Sequence, residues 1–216
     1  RIAEAAFDFG AEVALTSPDH PSGTDRIAEV ARRLRTATHF INIQGDEPLI
    51  DPRLIDRLAD RLTAGNGPAM VTAANPSRSP SDYLDPNVVK VVCDRTGHAL
   101  YFSRAPIPLD RNLVRLSTNL DSEALSVRES AFRYRAPGDD LPFDFLRHHG
   151  LYGYRRDTLL QLVRFRPTAL ERRESLEQLR ALEHGIRIRV LITRHRSRGV
   201  DTPEDAFAVE RLLARG

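Results

Sequence analysis

Residues 44 to 47, Gln-Gly-Asp-Glu, place an amide, a flexible residue and two carboxylates in a row. Carboxylate oxygens are the donors that a hard cation such as Mg²⁺ takes, and a cation held there can meet a phosphate. The same four residues also fit a surface turn after a core strand, where Gly and Asp are common. Ser22-Gly23-Thr24 is a second constellation. At the start of a helix it offers hydroxyls and backbone N–H groups to an anion or a ring edge. It also fits a plain capped loop. Lys90 is the third. Of 32 Lys and Arg residues it alone is lysine. An ammonium is a compact point charge and a guanidinium a planar fork, so the lone lysine is either chance or a position that needs the point charge.

Other reactive types point away from chemistry. Cys93 is the only cysteine, which excludes an internal disulfide and a multi-Cys zinc site. It lies in the apolar run Val88 to Cys93 and reads as a core thiol. Arg194, Arg196 and Arg198 form the densest basic cluster. With no aromatics interleaved, it reads as a phosphate-facing or simply exposed loop rather than a nucleic-acid surface.

The elements that carry these residues follow from hydrophobic periodicity. Arg1 to Phe9 read as an amphipathic helix, and Glu12 to Leu15 as a short strand. A polar loop, Thr16 to Asp25, leads to a helix over Arg26 to Leu34 with Ile27, Val30, Ala31 and Leu34 inward. Phe40 to Ile43 end a buried strand, and a helix spans Arg53 to Ala64. Met70 to Ala74 form the next strand. Alternating helix and strand is the signature of a parallel sheet wound with helices, in which ligands sit at the carboxyl ends of strands. Val88 to Cys93 and Ala99 to Ser103 then read as a hairpin closed by Asp94-Arg95-Thr96-Gly97-His98. Residues 109 to 143 read as a long exposed excursion. Order resumes with a strand at Gly150 to Tyr154, a helix over Asp157 to Phe165 and one long helix over Ala169 to His184. A final strand at Ile186 to Thr193 and a closing helix from Thr202 to Leu213 complete the chain.

Length and charge set the class. The 216 residues, 41% hydrophobic with a net charge of +2, suffice for one large domain. No apolar run reaches the ~20 residues of a membrane span, and Arg1-Ile-Ala-Glu-Ala-Ala is not a signal peptide. A soluble, cytoplasmic protein without membrane or nucleic-acid partners is expected.

Several separate stretches resemble one family. They are Asp19-His-Pro-Ser-Gly-Thr-Asp-Arg26, Asn42-Ile-Gln-Gly-Asp-Glu-Pro48, Pro86-Asn-Val-Val-Lys-Val-Val92 and Ala99-Leu-Tyr-Phe-Ser-Arg-Ala-Pro-Ile-Pro108. Phe145-Leu-Arg-His-His-Gly-Leu-Tyr-Gly-Tyr154, Leu176-Glu-Gln-Leu-Arg180 and Gly199-Val-Asp-Thr-Pro-Glu-Asp205 complete the set. Together, and in this order, they are similar to 3-deoxy-manno-octulosonate (Kdo) cytidylyltransferases, the CMP-Kdo synthetases. The resemblance implies an α/β, Rossmann-like nucleotidyltransferase fold of the nucleotide-diphospho-sugar transferase type, with a mixed sheet and helices on both faces. It implies the reaction of CTP with Kdo to give CMP-Kdo and diphosphate, for lipopolysaccharide assembly. It also implies Mg²⁺ and a homodimer.

Residue by residue, the resemblance implies metal ligation by Asp46 and Asp201, with Lys90 in the catalytic set. Ser22, Gly23, Thr24, Arg26 and Gln44 would read the nucleotide. Arg104, Lys90, His148, Tyr152, Glu177 and Gln178 would meet the sugar acid, with His149 the neighbouring alternative to His148. Arginine suits its carboxylate because the fork pairs with both oxygens. Residues 1–216 would be one domain, and 85–154 within it a hairpin, dimerisation and sugar-binding lobe.

Three departures qualify this. The family's first strand, its triphosphate-wrapping loop, the following helix and the next strand, roughly fifty residues, have no counterpart before Arg1. A chain beginning at Arg1 is therefore expected to fold poorly and to lack activity, while a full-length parent is expected to be active. Residues 112–143 exceed the family's usual connection, which bears on dimer geometry. Arg172-Arg173 replaces an uncharged pair, which bears on sugar preference. Rival readings are CMP transfer to another 2-keto sugar acid, such as sialic acid or an amino-Kdo, and a non-catalytic nucleotide-binding module.

Overall fold

A computed structural model describes residues 1–109, 114–115, 133–134, 143–195, 200 and 203–214. It opens with α1 (Ile2–Asp8) and α2 (Gly23–Arg33), the latter capped by Ser22, whose Oγ accepts from Asp25 N. Strand β1 (His39–Asn42) leads to α3 (Pro52–Thr63), where Asp51 caps and Pro52 takes the first turn. Then come β2 (Met70–Ser77), the short α4 (Pro80–Leu84), β3 (Lys90–Cys93) and β4 (Ala99–Ser103). The small β5 (Val114–Arg115) and β6 (Arg133–Tyr134) pair with each other. Strand β7 (Phe145–Arg155), α5 (Arg156–Leu162), α6 (Ala169–Glu174), α7 (Gln178–Glu183), β8 (Ile188–Ile192) and α8 (Pro203–Leu213) follow.

The sheet is mixed, in the order β4-β3-β7-β2-β8, with β1 also on β7. Strand β7 organises it. One edge pairs antiparallel with β2 over Phe145 to Tyr154. The other edge is shared by β3, at Leu146 and Arg147, and by β1, at Tyr152 to Arg155. Among the described residues the one parallel ladder is β2 with β8. This corrects the wound parallel arrangement that the early helix–strand alternation suggests. Strands β1 and β2 do run in the same direction, but the antiparallel β7 lies between them. The 85–154 stretch supplies β3, β4 and β7 to the main sheet and β5 and β6 to a separate two-stranded sheet.

Both faces of the sheet are covered. On one, Met70, Ala74, Tyr152, Tyr154, Ile188 and Val190 pack against Ala28 and Ala31 of α2, Leu159 and Leu162 of α5, and Leu179 of α7. On the other, Val71, Ala73 and Leu151 meet Leu54, Leu58 and Leu62 of α3. The period of two along β2 sends Met70 one way and Val71 the other. No helix among the described residues is long and apolar enough to cross a membrane.

Two further expectations change. Residues 12 to 15 form no strand. Leu15 is 76% exposed, and Arg33 Nη1 donates to its carbonyl at 2.7 Å, so a side chain takes the bond a neighbouring strand would. The long helix over 169–184 is two helices. Ser175 turns left-handed (φ 52°) between α6 and α7, which drops Leu176 into the core. A non-glycine residue there costs roughly 1–2 kcal/mol, which the packing around it offsets.

Candidate active site

The carboxyl-terminal end of β1, the amino-terminal ends of α2 and α7, and the middle of β7 surround a cleft of ≈ 900 Å³. It exceeds depressions of ≈ 480 and ≈ 370 Å³ elsewhere on the surface. Its lining brings together Thr24, Gln44, Asp46, Arg104, His148, Tyr152, Glu177 and Gln178 from positions far apart in the chain.

At one end, the turn after β1 carries Gln44 and Asp46. The turn closes by a bond from Glu47 N to Gln44 O at 3.2 Å, and Val200 N donates to Asp46 O at 2.8 Å. The residue before position 201 is thereby fixed to the Asp46 loop. Asp201 itself lies outside the described residues, as do Arg196 and Arg198. Gly23 stands beside this turn. A Cβ there would come within 4.0 Å of the side-chain amides of Asn42 and Gln44, ordinary contact distance.

The opposite wall is a hydrogen-bond relay. Thr24, 4% exposed, donates from Oγ1 to Glu177 Oε2 at 2.7 Å and is also hydrogen-bonded to the Tyr154 hydroxyl. Glu177 Oε1 and the Tyr152 hydroxyl are buried atoms without a hydrogen-bond partner, although Arg180 Nη2 stands 3.9 Å from Glu177 Oε1 as an ion pair. Burial raises the pKa of Tyr152 well above that of an ordinary phenol, so it stays a donor. A donor and an acceptor, both lacking hydrogen-bond partners in one cleft, suit the hydroxyls of a polyol.

His148 rather than His149 lines the cleft. Thr72 Oγ1 lies 2.9 Å from His148 Nε2 and 2.7 Å from the carbonyl of Leu151. A hydroxyl has one proton, and the shorter bond to the carbonyl takes it. Thr72 therefore accepts from His148 Nε2–H, leaving Nδ1 as an acceptor. Burial, with His149 adjacent, pushes the His148 pKa down to about 3. His149 turns to the α3 face, and burial beside Arg147 and His195 lowers it to about 4.

Arg104 is held along its whole length. Its N–H donates to Glu174 Oε2 at 2.9 Å, Nε to Glu174 O at 2.8 Å and Nη1 to Pro86 O at 2.9 Å. Gln178, 7% exposed, opens α7 and is kept in place by the buried pair of Glu171 and Arg180, whose Nε–Oε2 distance is 2.8 Å.

Four described residues expected in the site are not in the lining, Gly23 among them, which stands beside the Gln44 turn. Ser22 spends its hydroxyl on Asp25, donating to Oδ2 at 2.7 Å and capping α2. Arg26 reaches back to Ser17 O at 2.9 Å and to Thr16. Lys90 is fully buried, with its ammonium donating to three backbone carbonyls behind the cleft wall. Conversely, Asn42, Asn87 and Arg147 line the cleft without having been singled out. Asn42 carried a signal: it is a polar residue, 7% exposed, inside the apolar run Phe-Ile-Asn-Ile.

The arrangement can grip a polyhydroxylated acid near Arg104, Tyr152 and Glu177, and an anionic or heterocyclic group near Gly23, Gln44 and Asp46. Carboxylate oxygens at Asp46 are hard donors, which fits Mg²⁺. Among the described residues no cluster of three metal-ligating side chains occurs.

Residues 1–188 match the family model described as Cytidylyltransferase. A 3-deoxy-manno-octulosonate cytidylyltransferase of Geobacter sulfurreducens is 47% identical over 215 residues, covering 100% of this chain and 78% of that protein. One from Halorhodospira halophila is 47% identical over 216 residues, covering 99% and 77%. A solved CMP:2-keto-3-deoxy-manno-octonic acid synthetase complexed with CTP has a TM-score of 0.80 at 33% identity, over 99% of this chain and 77% of that one. A 4-diphosphocytidyl-2C-methyl-D-erythritol synthase from Anaerococcus prevotii covers 99% of this chain and 75% of its own at a TM-score of 0.53, and at 10% identity it shares the fold alone.

Proposed function

The chain belongs to the 3-deoxy-manno-octulosonate cytidylyltransferase family, and from that premise we propose that its cleft joins CMP from CTP to Kdo, supplying the activated sugar for lipopolysaccharide synthesis. A sugar hydroxyl attacks the α-phosphorus, a P–O bond forms as the α–β anhydride bond breaks, diphosphate leaves and the hydroxyl proton is lost. Such a displacement needs both reactants aligned and the phosphate charge neutralised.

The observation that carries this reading is the pair of buried oxygens without hydrogen-bond partners, Tyr152 Oη and Glu177 Oε1, in the wall of the largest cleft described; Arg180 Nη2, 3.9 Å from Glu177 Oε1, holds that carboxylate by charge and leaves its hydrogen-bond capacity open. In the proposed division of labour they hold sugar hydroxyls, while Arg104 pairs with the sugar carboxylate and His148 Nδ1 accepts a further hydroxyl. Gly23 and Gln44 read the cytosine edge, and Thr24 sets Glu177 in place. Asp46, with Asp201, would hold Mg²⁺, which when bound neutralises phosphate charge and acidifies a coordinated hydroxyl. The bond from Val200 N to Asp46 O supports that pairing, because it tethers the neighbour of residue 201 to the Asp46 turn. CTP as substrate fits a cytoplasmic location, and exposed Leu100 on the edge strand β4, 62% accessible, fits a contact between two copies in a homodimer.

Turnover of CTP by the purified full-length protein with Kdo, sialic acid and an amino-substituted Kdo tests the reading. Kdo is expected to be the preferred acceptor, with diphosphate released in equal amount. CMP binding without turnover of any of the three would instead establish a nucleotide-binding module. Isothermal titration of Mg²⁺ into the wild type and Asp46→Asn, expected to show weaker binding in the variant, tests the metal site apart from activity.

A further inference from the structure

Lys90 occupies a singular place in the composition and in the fold. It is the one lysine among 32 basic residues, and its side chain on β3 is 0% exposed. Nζ donates to Asp85 O at 2.9 Å, to Val88 O at 2.6 Å and to Arg104 O at 2.6 Å. Those three bonds use all three protons of an ammonium. Among the described residues no carboxylate forms an ion pair with it. Burial lowers its pKa, and the charges of Asp85 and Glu174 at longer range oppose that shift.

Three carbonyl oxygens converging on one point explain why this position is lysine in a chain that otherwise uses arginine. A guanidinium spreads its donors over a rigid plane and is bulkier, so it cannot fill a site built around a single nitrogen.

The three carbonyls share a location. Asp85, Val88 and Arg104 all line the cleft, and the ammonium lies behind them. The 85–88 lip is held from within by Lys90, at carbonyls 85 and 88, and from the cleft side by Arg104 Nη1, at carbonyl 86. Arg104 itself is fixed at both ends of its backbone: its N–H on Glu174 Oε2 and its carbonyl on Lys90 Nζ. Its guanidinium also donates from Nε to Glu174 O and, weakly, from Nη2 to Ser175 O at 3.5 Å. One proton remains on each terminal nitrogen.

We propose that Lys90 is a positioning residue for sugar-acid recognition: its buried ammonium locks the 85–88 lip and the Arg104 backbone, so that the Arg104 guanidinium is already ordered when a carboxylate arrives. Pre-ordering of this kind lowers the entropy lost on binding and so acts on affinity for one substrate. It rests on the reading of the cleft as a Kdo site, and it replaces a direct catalytic role for Lys90 with one exerted through Arg104.

A single lysine makes the test specific. Protein labelled with ¹⁵N-lysine gives one side-chain ammonium signal. The expected result is an ammonium whose protons exchange slowly with water and whose signal shifts when Kdo is added but not when CTP alone is added. In turnover assays Lys90→Arg and Lys90→Met are expected to raise KM for Kdo by roughly tenfold or more, with KM for CTP changed by less than about twofold, as for loss of one binding contact. If Lys90→Met does not fold, Lys90→Arg and the exchange measurement still decide. A freely exchanging ammonium, a signal indifferent to Kdo, wild-type KM values in Lys90→Arg, or a parallel rise in both KM values would overturn the proposal. Wild-type protein that turns over Kdo while its lysine signal stays unmoved sinks this inference alone. Full-length wild-type protein that turns over no sugar acid sinks the functional reading, and this inference with it.

Discussion

Thr24 Oγ1 donates to Glu177 Oε2 at 2.7 Å across 153 residues of sequence, joining the start of α2 to the start of α7 over one end of the cleft. The bond takes the one hydroxyl proton of Thr24 and orients the carboxylate so that Oε1 makes no hydrogen bond, with Arg180 Nη2 3.9 Å away as an ion pair. Thr24→Val removes the donor while keeping the shape. A hydrogen bond to a charged group contributes about 1.5–3 kcal/mol, and Glu177 is partly exposed, so the lower end applies. The expected outcome is a modest fall in the urea midpoint and a rise in KM for Kdo. Adding Glu177→Gln to Thr24→Val should do less than the two single effects summed. Additive effects on KM would show that Thr24 does not act through Glu177.

His148 is held neutral by burial, with its pKa near 3 against an ordinary 6.5. Between those values the unfolded chain binds the proton and the folded one does not. Stability is therefore fully present above pH 6.5 and declines as pH falls from 6.5 towards 3. His149, lowered to about 4, adds in the same direction. Urea midpoints measured at pH 7 and pH 5 should differ less in His148→Gln than in the wild type. The rate profile between pH 5.5 and 8 should show no ionisation from His148. A histidine proton resonance titrating near 6.5 and assigned to His148 would contradict the buried, neutral ring.

Asp94 organises the turn between β3 and β4. Its Oδ1 accepts from the backbone N–H of His98 at 2.9 Å, from Thr96 Oγ1 at 2.7 Å and from Thr96 N at 2.8 Å. The bond from the His98 backbone, then that from the Thr96 hydroxyl, hold its pKa down at about 2 against 3.8. The stability this contributes is present above pH 3.8 and lost as pH falls through 2. Asp94→Asn should flatten the acid limb of the stability curve in that window and leave the neutral-pH cleft unchanged. A wild-type acid limb in the variant would place the acid sensitivity elsewhere.

The parts of this architecture with a clear period were legible in the sequence, and the parts set by long-range partners were not. The inward row of α3 and the hairpin from Lys90 to Ser103 follow from local pattern, whereas in α2 only Ala31 of the expected row is buried, with Thr24 and Ala28 beside it and Leu34 52% exposed. The full length of β7 does not, because its middle is Arg147-His148-His149-Gly150, polar on both faces. A register shift opposite Thr72 and Ala73 interrupts its pairing there, sending His148 to the cleft and His149 to α3. The break at Ser175 carries no Gly or Pro to announce it. Family motifs assembled most of the cleft. Ser22, Gly23, Arg26 and Lys90 stand outside its lining; Ser22 bonds Asp25, Arg26 bonds Thr16 and Ser17, and the three carbonyls around the Lys90 ammonium are long-range partners that no local pattern shows.

Gly153 tests how tightly β7 is set against α3. A Cβ at that position would sit 2.7 Å from Val71 Cγ1 and 3.2 Å from Leu62 Cδ2. Val71 is 0% exposed and Leu62 1%, so neither has free space to move into. Overpacking of this kind costs about 1–3 kcal/mol. Gly153→Ala should therefore lower the urea midpoint by a corresponding amount. Because Tyr152 and Tyr154 flank it on the cleft face, KM for Kdo should rise as well. Val71→Ala alone opens a small cavity and is also destabilising. Combined with Gly153→Ala, the new methyl fills that cavity, and the double variant should be more stable than the sum of the two losses. A Gly153→Ala protein as stable as the wild type would mean that the sheet and α3 can separate by several tenths of an ångström at no cost, and the cleft wall carried by β7 would then be less rigid than its packing implies.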